Sequence, residues 1–376
     1  MKILVIGMAD SIHLAKWLSQ FSSSEFEFRV VSSSPHRFIH PKLRELLLRP
    51  NFSMGWFSRF FSLFLWIADR FLSDRLRGLL IANEIRLFEP DIVHVLEFQN
   101  GGYAFLRARS YGNASPKYKL LLTPYGSDIY WFQAYPHHLE KIEKLLRLAD
   151  GFSSECRRDE LLATKYGFQG RLLPRIPAFG SIDLSIPNQD RSKRNRIAVK
   201  GYQNKWGQAV NALEAIERVA RSLEGVTVEI YSAEGTAISA AKKLYQRTGI
   251  EVIVHRKHAL QNEEVLELFS RSQIYIGLSK SDGISASMIE AMSQGAIPIQ
   301  SDTSCCGEWL DNKVGGYLVK YDDIETISAK ILKILQDEEF QINAANHNYQ
   351  SLKSKLDGNL SHAAAIETYR QLVSDI

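Results

Sequence analysis

At 376 residues the chain is long enough for two domains with sizeable cores. Apolar content of 45% and charged content of 23% fit a soluble globular protein and exclude a disordered or fibrous one. The formal charge of +4 is unevenly spread: residues 1–185 hold 24 basic and 18 acidic side chains and the remainder 22 and 24, so the first half is expected to meet an anionic surface or substrate. Three cysteines, Cys156, Cys305 and Cys306, are too few for a disulfide framework and lack zinc-ligand spacing, which suits a reducing cytoplasm. The opening MKILVIGMAD does not read as a signal peptide, because its apolar run ends at Asp10. No stretch reaches the ~18 uncharged apolar residues of a membrane span.

In chain order, short apolar runs alternate with helical patterns. Strands are predicted over 2–7, 26–34, 91–98, 119–126 and 171–176. Their apolar runs are continuous rather than alternating, which indicates a parallel sheet buried on both faces. Between the first of them lies GWFSRFFSLFLWIADRFLS (55–73), dense in aromatics, with Ser58, Arg59, Ser62, Asp69, Arg70 and Ser73 gathered in about a third of the helical circumference. Flanked by Arg49, Arg75 and Arg77 in the basic half, it is expected to rest on an anionic membrane surface. Residues 181–196 are polar, basic and broken by Pro187, and read as a linker. Strands then resume at 196–202, 226–233, 250–257, 273–279 and 296–301, with helices over 262–272 and 285–294. Two blocks of strand–helix alternation predict an α/β protein with two doubly wound, Rossmann-like parallel-sheet domains, 1–185 and 186–359, facing across a cleft.

The segment SDGISASMIEAMSQGAIPIQSD (281–302) carries the chemistry. A strand ends near Ser279 and a helix begins near Ser285 or Ser287, either of which can cap it. A helix N-terminus presents backbone N–H groups and a positive dipole end, suited to a phosphate. Carboxylates beside an anion site suit the hydroxyls on either side of it. Asp282 and Glu290 therefore point to a ligand built as sugar, diphosphate and ribose. A second feature is Lys200-x4-Lys205 in KGYQNKWG, at the end of the first strand of the second block. Cations there suit a nucleoside diphosphate that gains negative charge as its bond to the sugar breaks.

These motifs resemble those of the family 4 retaining glycosyltransferases, which have the GT-B architecture of two Rossmann-like domains. The family's Glu-x7-Glu followed by Ala-Met-x-x-Gly-x-Pro reads here Asp282-x7-Glu290 and EAMSQGAIP, and its Arg/Lys-x4-Lys reads Lys200 and Lys205. The resemblance implies that Glu290 binds the nucleotide ribose and that Asp282 contacts the donor sugar. It implies that the amides of Gly283, Ile284 and Ser285 hold the diphosphate or sugar, and that Lys200 and Lys205 stabilise the leaving group. TPYGSDIYW (123–131) resembles Thr-x-His-Gly-x-Asp, with Tyr125 in place of His. Tyr125 and Asp128, with Asp10, His13 and Glu155, are then expected at the acceptor and sugar pocket. The final helix, within 360–376, is expected to cross back to the first domain.

The opening loop has only Gly7 and lacks G-x-G-x-x-G, which argues against a dinucleotide enzyme. His137–His138 and His255/His258 lack a third ligand, so no metal site and no cofactor is expected. The expected activity is transfer of a hexose or N-acetylhexosamine, with retention, from a nucleotide sugar, UDP-linked, to a glycan or lipid-linked acceptor. No nucleic-acid partner is expected, and the expected location is the cytoplasm, peripheral on the membrane. The rivals are a GT-B UDP-sugar epimerase and a catalytically inactive nucleotide-sugar-binding partner protein.

Overall fold

The computed structural model describes residues 1–21, 26–34, 36, 38–55, 75–112, 117–177, 184, 194–303, 305–356 and 358–373. The aromatic segment read above as a membrane-docking helix therefore lies, from Trp56 onward, outside the described residues, as does most of the linker. The chain forms two compact units, one of residues 1–181 with 358–376 and one of residues 182–357.

The first unit runs β1 (Lys2–Gly7), α1 (Ile12–Ser19), β2 (Glu27–Ser32), α2 (Pro41–Leu46), β3 (Phe52–Met54), α3 (Arg75–Phe88), β4 (Ile92–Leu96), α4 (Tyr103–Arg109), β5 (Lys119–Thr123), α5 (Pro136–Leu148), β6 (Gly151–Phe152), α6 (Arg157–Lys165) and β7 (Arg171–Leu172). Its sheet has the order β3-β2-β1-β4-β5-β6-β7 with parallel pairing throughout. The second unit runs β8 (Arg196–Lys200), α7 (Ala209–Arg218), β9 (Thr227–Ala233), α8 (Thr236–Thr248), β10 (Val252–Arg256), α9 (Asn262–Ser270), β11 (Ser272–Gly277), α10 (Ala286–Ser293), β12 (Ile297–Ser301), β13 (Tyr317–Val319), α11 (Ile324–Gln336) and α12 (Glu338–Leu356). Its parallel sheet has the order β10-β9-β8-β11-β12-β13. These are two doubly wound α/β units, as the strand–helix alternation predicts.

The continuous apolar runs are explained by burial on both faces. In β1, Ile3 and Val5 join a core with α1, whereas Leu4 and Ile6 face a second core with α3, α4 and α5. The last helix, α13 (Gly358–Val373), packs into the first of these cores through Ala365, Tyr369 and Leu372. The Tyr369 hydroxyl accepts from Trp17 Nε1 at 3.1 Å and lies 2.8 Å from His94 Nδ1, while His94 Nε2 lies 2.8 Å from Thr123 Oγ1. Burial alone pulls His94 down to about 3, so the ring is neutral and can donate at one nitrogen while accepting at the other. The C-terminal helix is thereby tied to the middle of β4 and the end of β5.

In both sheets the order reverses between two central strands, β1 and β4 in the first unit and β8 and β11 in the second. Connections leave such a pair in opposite directions, so the gap beyond their carboxyl ends is the ligand position of a doubly wound fold. The predicted motif segments follow β8 and β11.

Candidate active site

In the second unit the loop after β8 and the loop after β11 are joined by their backbones. Gln208 N donates to Leu278 O at 3.0 Å, Lys280 N donates to Trp206 O at 2.9 Å, and Gly207 bridges Ser279. Sheet order thus brings together the Lys-x4-Lys pair and the Asp-x7-Glu segment, which are far apart in sequence. Lys200 ends β8, and its Nζ lies 3.7 Å from Asp282 Oδ2. Burial pulls this ammonium down, but the Asp282 carboxylate, with Tyr275 and Tyr202, outweighs it and raises Lys200 above its ordinary value. The position is therefore a fixed positive charge. Lys205 is exposed on the turn, its Nζ 4.6 Å from the Trp206 ring centroid.

The Asp282 carboxylate also accepts from its neighbour's amide, Gly283 N to Oδ1 at 2.9 Å. That amide, expected on the ligand, is held within the loop here. Ile284 is buried. Ser285 caps α10, accepting from Met288 N, and lies 3.4 Å from the Tyr275 hydroxyl. The cap fixes where α10 begins. Glu290 is its fifth residue and is 8% exposed, a buried carboxylate in the first turns of a helix whose N-terminus favours negative charge. Gly295, the glycine of the motif, has φ +80° just past the end of α10, where a left-handed residue lets the chain turn back into β12.

The predicted residues of the first unit also come together. Ser11 caps α1, placing His13 in its first turn, and the His13 ring centroid lies 5.9 Å from that of Tyr125. Asp10 sits half-buried in the preceding turn. The Tyr125 hydroxyl is buried and has no hydrogen-bond partner among the described residues. Burial, then Glu97, Asp128 and Glu155, push its ionisation well above the usual phenol value, so it can act only as a neutral donor or acceptor. Glu155 is 8% exposed and lies beyond β6. Asp128, buried, does not begin a helix. Its Oδ2 accepts from Phe98 N at 2.9 Å and Tyr125 N at 2.8 Å, stapling the loop after β5 to the one after β4.

Glu97 escaped the sequence reading. It follows β4 at φ +72°, is 3% exposed, and accepts from Asn100 N at 2.9 Å and Gly101 N at 2.5 Å. Burial raises Glu97 against the pull of the amides that hold it, and burial together with the Glu97 carboxylate raises Asp128 more strongly. An acid at a strand end four residues before Gly101 was the available signal. Arg158 adds a clamp, donating to Gly126 O at 2.6 Å and lying over the Tyr130 ring at 4.2 Å.

Residues 185–351 match the family described as glycosyl transferases group 1. The chain has the GT-B fold of glycosyltransferases. Sucrose-phosphate synthase from Thermosynechococcus elongatus superposes with a TM-score of 0.72 at 13% identity over 100% of both chains. HepE of Anabaena, solved with UDP-glucose, superposes with a TM-score of 0.70 at 13% identity over 99% of this chain and 100% of that one. TarM of S. aureus, solved in a complex containing UDP, superposes with a TM-score of 0.72 at 9% identity over 100% of both. A curated relative from Campylobacter jejuni, named N,N'-diacetylbacillosaminyl-diphospho-undecaprenol alpha-1,3-N-acetylgalactosaminyltransferase, is 25% identical over 113 residues, and the match spans 30% of each chain. Among the described residues no helix is long and apolar enough to cross a membrane.

The two backbone amides held by Asp128 yield a test. Asp128→Ala leaves both without their acceptor and is expected to cost about 2 kcal/mol or more of unfolding free energy. Asp128→Asn, which can still turn an oxygen to both amides and matches a carboxyl pushed toward its neutral form, is expected to cost under about 1 kcal/mol. Urea denaturation of the two variants measures both, and equal losses would refute the staple.

Proposed function

We propose that the protein is a retaining glycosyltransferase of the family 4 type. It moves a hexose or N-acetylhexosamine from a UDP-sugar to a glycan or lipid-linked acceptor, with no divalent ion. The observation that carries this reading is the backbone joining of the 201–208 and 278–280 loops, which sets Lys200, Lys205, Asp282 and the start of α10 at the switch point of one sheet. HepE solved with UDP-glucose and TarM solved with UDP support a uridine nucleotide donor, and the Campylobacter relative's name supports a lipid-linked acceptor.

In this reading Glu290 accepts from the ribose hydroxyls and Asp282 from the sugar. The bond between the anomeric carbon and the diphosphate oxygen breaks, with the electron pair leaving on UDP. The acceptor oxygen bonds to the same carbon on the same face, and its proton passes to the departing phosphate oxygen. Lys200 and Lys205 oppose the charge that builds on that diphosphate. Cations contribute most when their attraction grows toward the transition state, and these two would do so without a metal ion. Tyr125, a neutral phenol, would hydrogen-bond a sugar hydroxyl rather than act as a base.

Incubation with UDP-glucose, UDP-N-acetylglucosamine and UDP-N-acetylgalactosamine, following free UDP with and without candidate acceptors, tests the activity. Lys205→Ala is expected to lower turnover about a hundredfold, with a smaller loss of donor affinity. An unchanged turnover number removes Lys205 from the mechanism, and donor binding with no release by the parent favours an inactive nucleotide-sugar binder.

On sequence grounds we also propose that residues 55–73 dock the protein on an anionic membrane surface. Replacing Trp56, Phe60 and Phe64 together by Ser is expected to abolish co-sedimentation with phosphatidylglycerol-containing vesicles while leaving the protein folded. A parent protein that fails to co-sediment contradicts the docking.

A further inference from the structure

Glu234, just past the end of β9, bears on the cationic turn of Lys205 from outside both motifs. The strand ends here are packed closely. Gly201 N donates to Tyr231 O at 2.8 Å, Glu234 N donates to Gly201 O at 3.2 Å, and Lys257 N donates to Ala233 O at 3.1 Å. A Cβ on Gly235, at φ +57°, would lie 2.9 Å from Gln203 O. The loops after β8, β9 and β10 therefore meet at one edge of the second sheet, and Glu234 stands between the outer two.

Its two oxygens have separate tasks. Oε2 lies 3.1 Å from Lys257 Nζ. Oε1 accepts from Asn204 Nδ2. A carboxylate in its ionised form can only accept, so it fixes which end of the Asn204 amide faces it. Nδ2 must point to Glu234, which leaves Oδ1 for the turn. There Oδ1 accepts from Trp206 N at 2.8 Å and Gly207 N at 3.0 Å. Those two amides follow Lys205 directly, so the lysine stands at the tip of a turn whose closure depends on the amide being the right way round. Lys257, on the other oxygen, lies 5.2 Å from the Tyr202 ring, and Lys200 lies 5.1 Å from the same ring.

We propose that Glu234 is a positioning residue for the diphosphate site, acting through Asn204 to hold Lys205 where the leaving group is bound. It touches no substrate. Without it the Asn204 amide is free to flip, the turn loses its acceptor, and Lys205 samples geometries that miss the phosphate. Ordering a long, exposed ammonium beforehand removes that cost from binding. The inference rests on the donor site proposed above.

Calorimetric titration with UDP and with UMP separates a positioning role from a structural one, because only UDP carries the second phosphate. Glu234→Ala is expected to weaken UDP about fivefold and UMP less than twofold. Glu234→Gln, whose amide oxygen can still face Asn204, is expected to bind UDP within twofold of the parent. Lys205→Ala combined with Glu234→Ala is expected to bind UDP no more weakly than Lys205→Ala alone, since residues acting through one another are not additive. Equal losses of UDP and UMP, no loss of UDP, a Gln variant as weak as Ala, or additive losses in the double variant overturn the proposal. The donor-site reading fails separately: a parent that binds neither nucleotide, or a Lys205→Ala that binds UDP as the parent does, ends that reading and this inference with it. A Lys205→Ala that weakens UDP while Glu234→Ala does not ends the inference alone.

Discussion

Each sheet can be wound on both faces only if its strand order reverses once, and that reversal is the constraint on which the rest depends. Between β8 and β11 the connections depart to opposite faces, so neither covers the strand ends. The chain there must satisfy its polar groups through loops instead of helices. Hydrogen bonds from the turn around Trp206 to the segment after β11 do this, and the same bonds join the loop of the two lysines to the loop that leads into a capped helix. The site is thus a consequence of sheet topology before it is a set of side chains.

Charge within this site is arranged so that no group is left alone. Lys200 in its half-buried position is held protonated by Asp282, and Asp282 is steadied by the Gly283 amide. In the proposed donor site, an arriving diphosphate would take over part of the role of Asp282, leaving that carboxylate to a sugar hydroxyl. A fixed pair that a ligand reshapes costs less reorganisation than ions stripped from water. In the first unit the opposite logic holds. Glu97 and Asp128 are held by backbone amides, and their neighbourhood keeps the Tyr125 phenol neutral.

Much of this was legible in the sequence. The parallel sheets were, because burial on both faces leaves a continuous apolar run such as ILVI in β1. Several runs extended too far at their carboxyl ends, since Tyr125, Leu278 and Ser279 leave the sheet but remain packed at the site. The run at 171–176 pairs only through Arg171 and Leu172 before Pro174. Strands β3 and β13 were missed because three residues carry no period. Of the candidate site, the residues within one loop were readable from spacing. Glu97 was not, because its reach to Asn100 and Gly101 depends on a positive φ that glutamate seldom adopts. Glu234 was hidden for a different reason: its partners lie in two other loops, and only the sheet order joins them.

The central claim is that the ends of β8 and β11 form the nucleotide site. Amide hydrogen exchange of the protein with and without saturating UDP tests it most directly. The account predicts slowed exchange in residues 201–208 and 278–290, with β3 and β7 of the first unit unchanged. Unaltered exchange in both segments, or protection confined to the first unit, would contradict it.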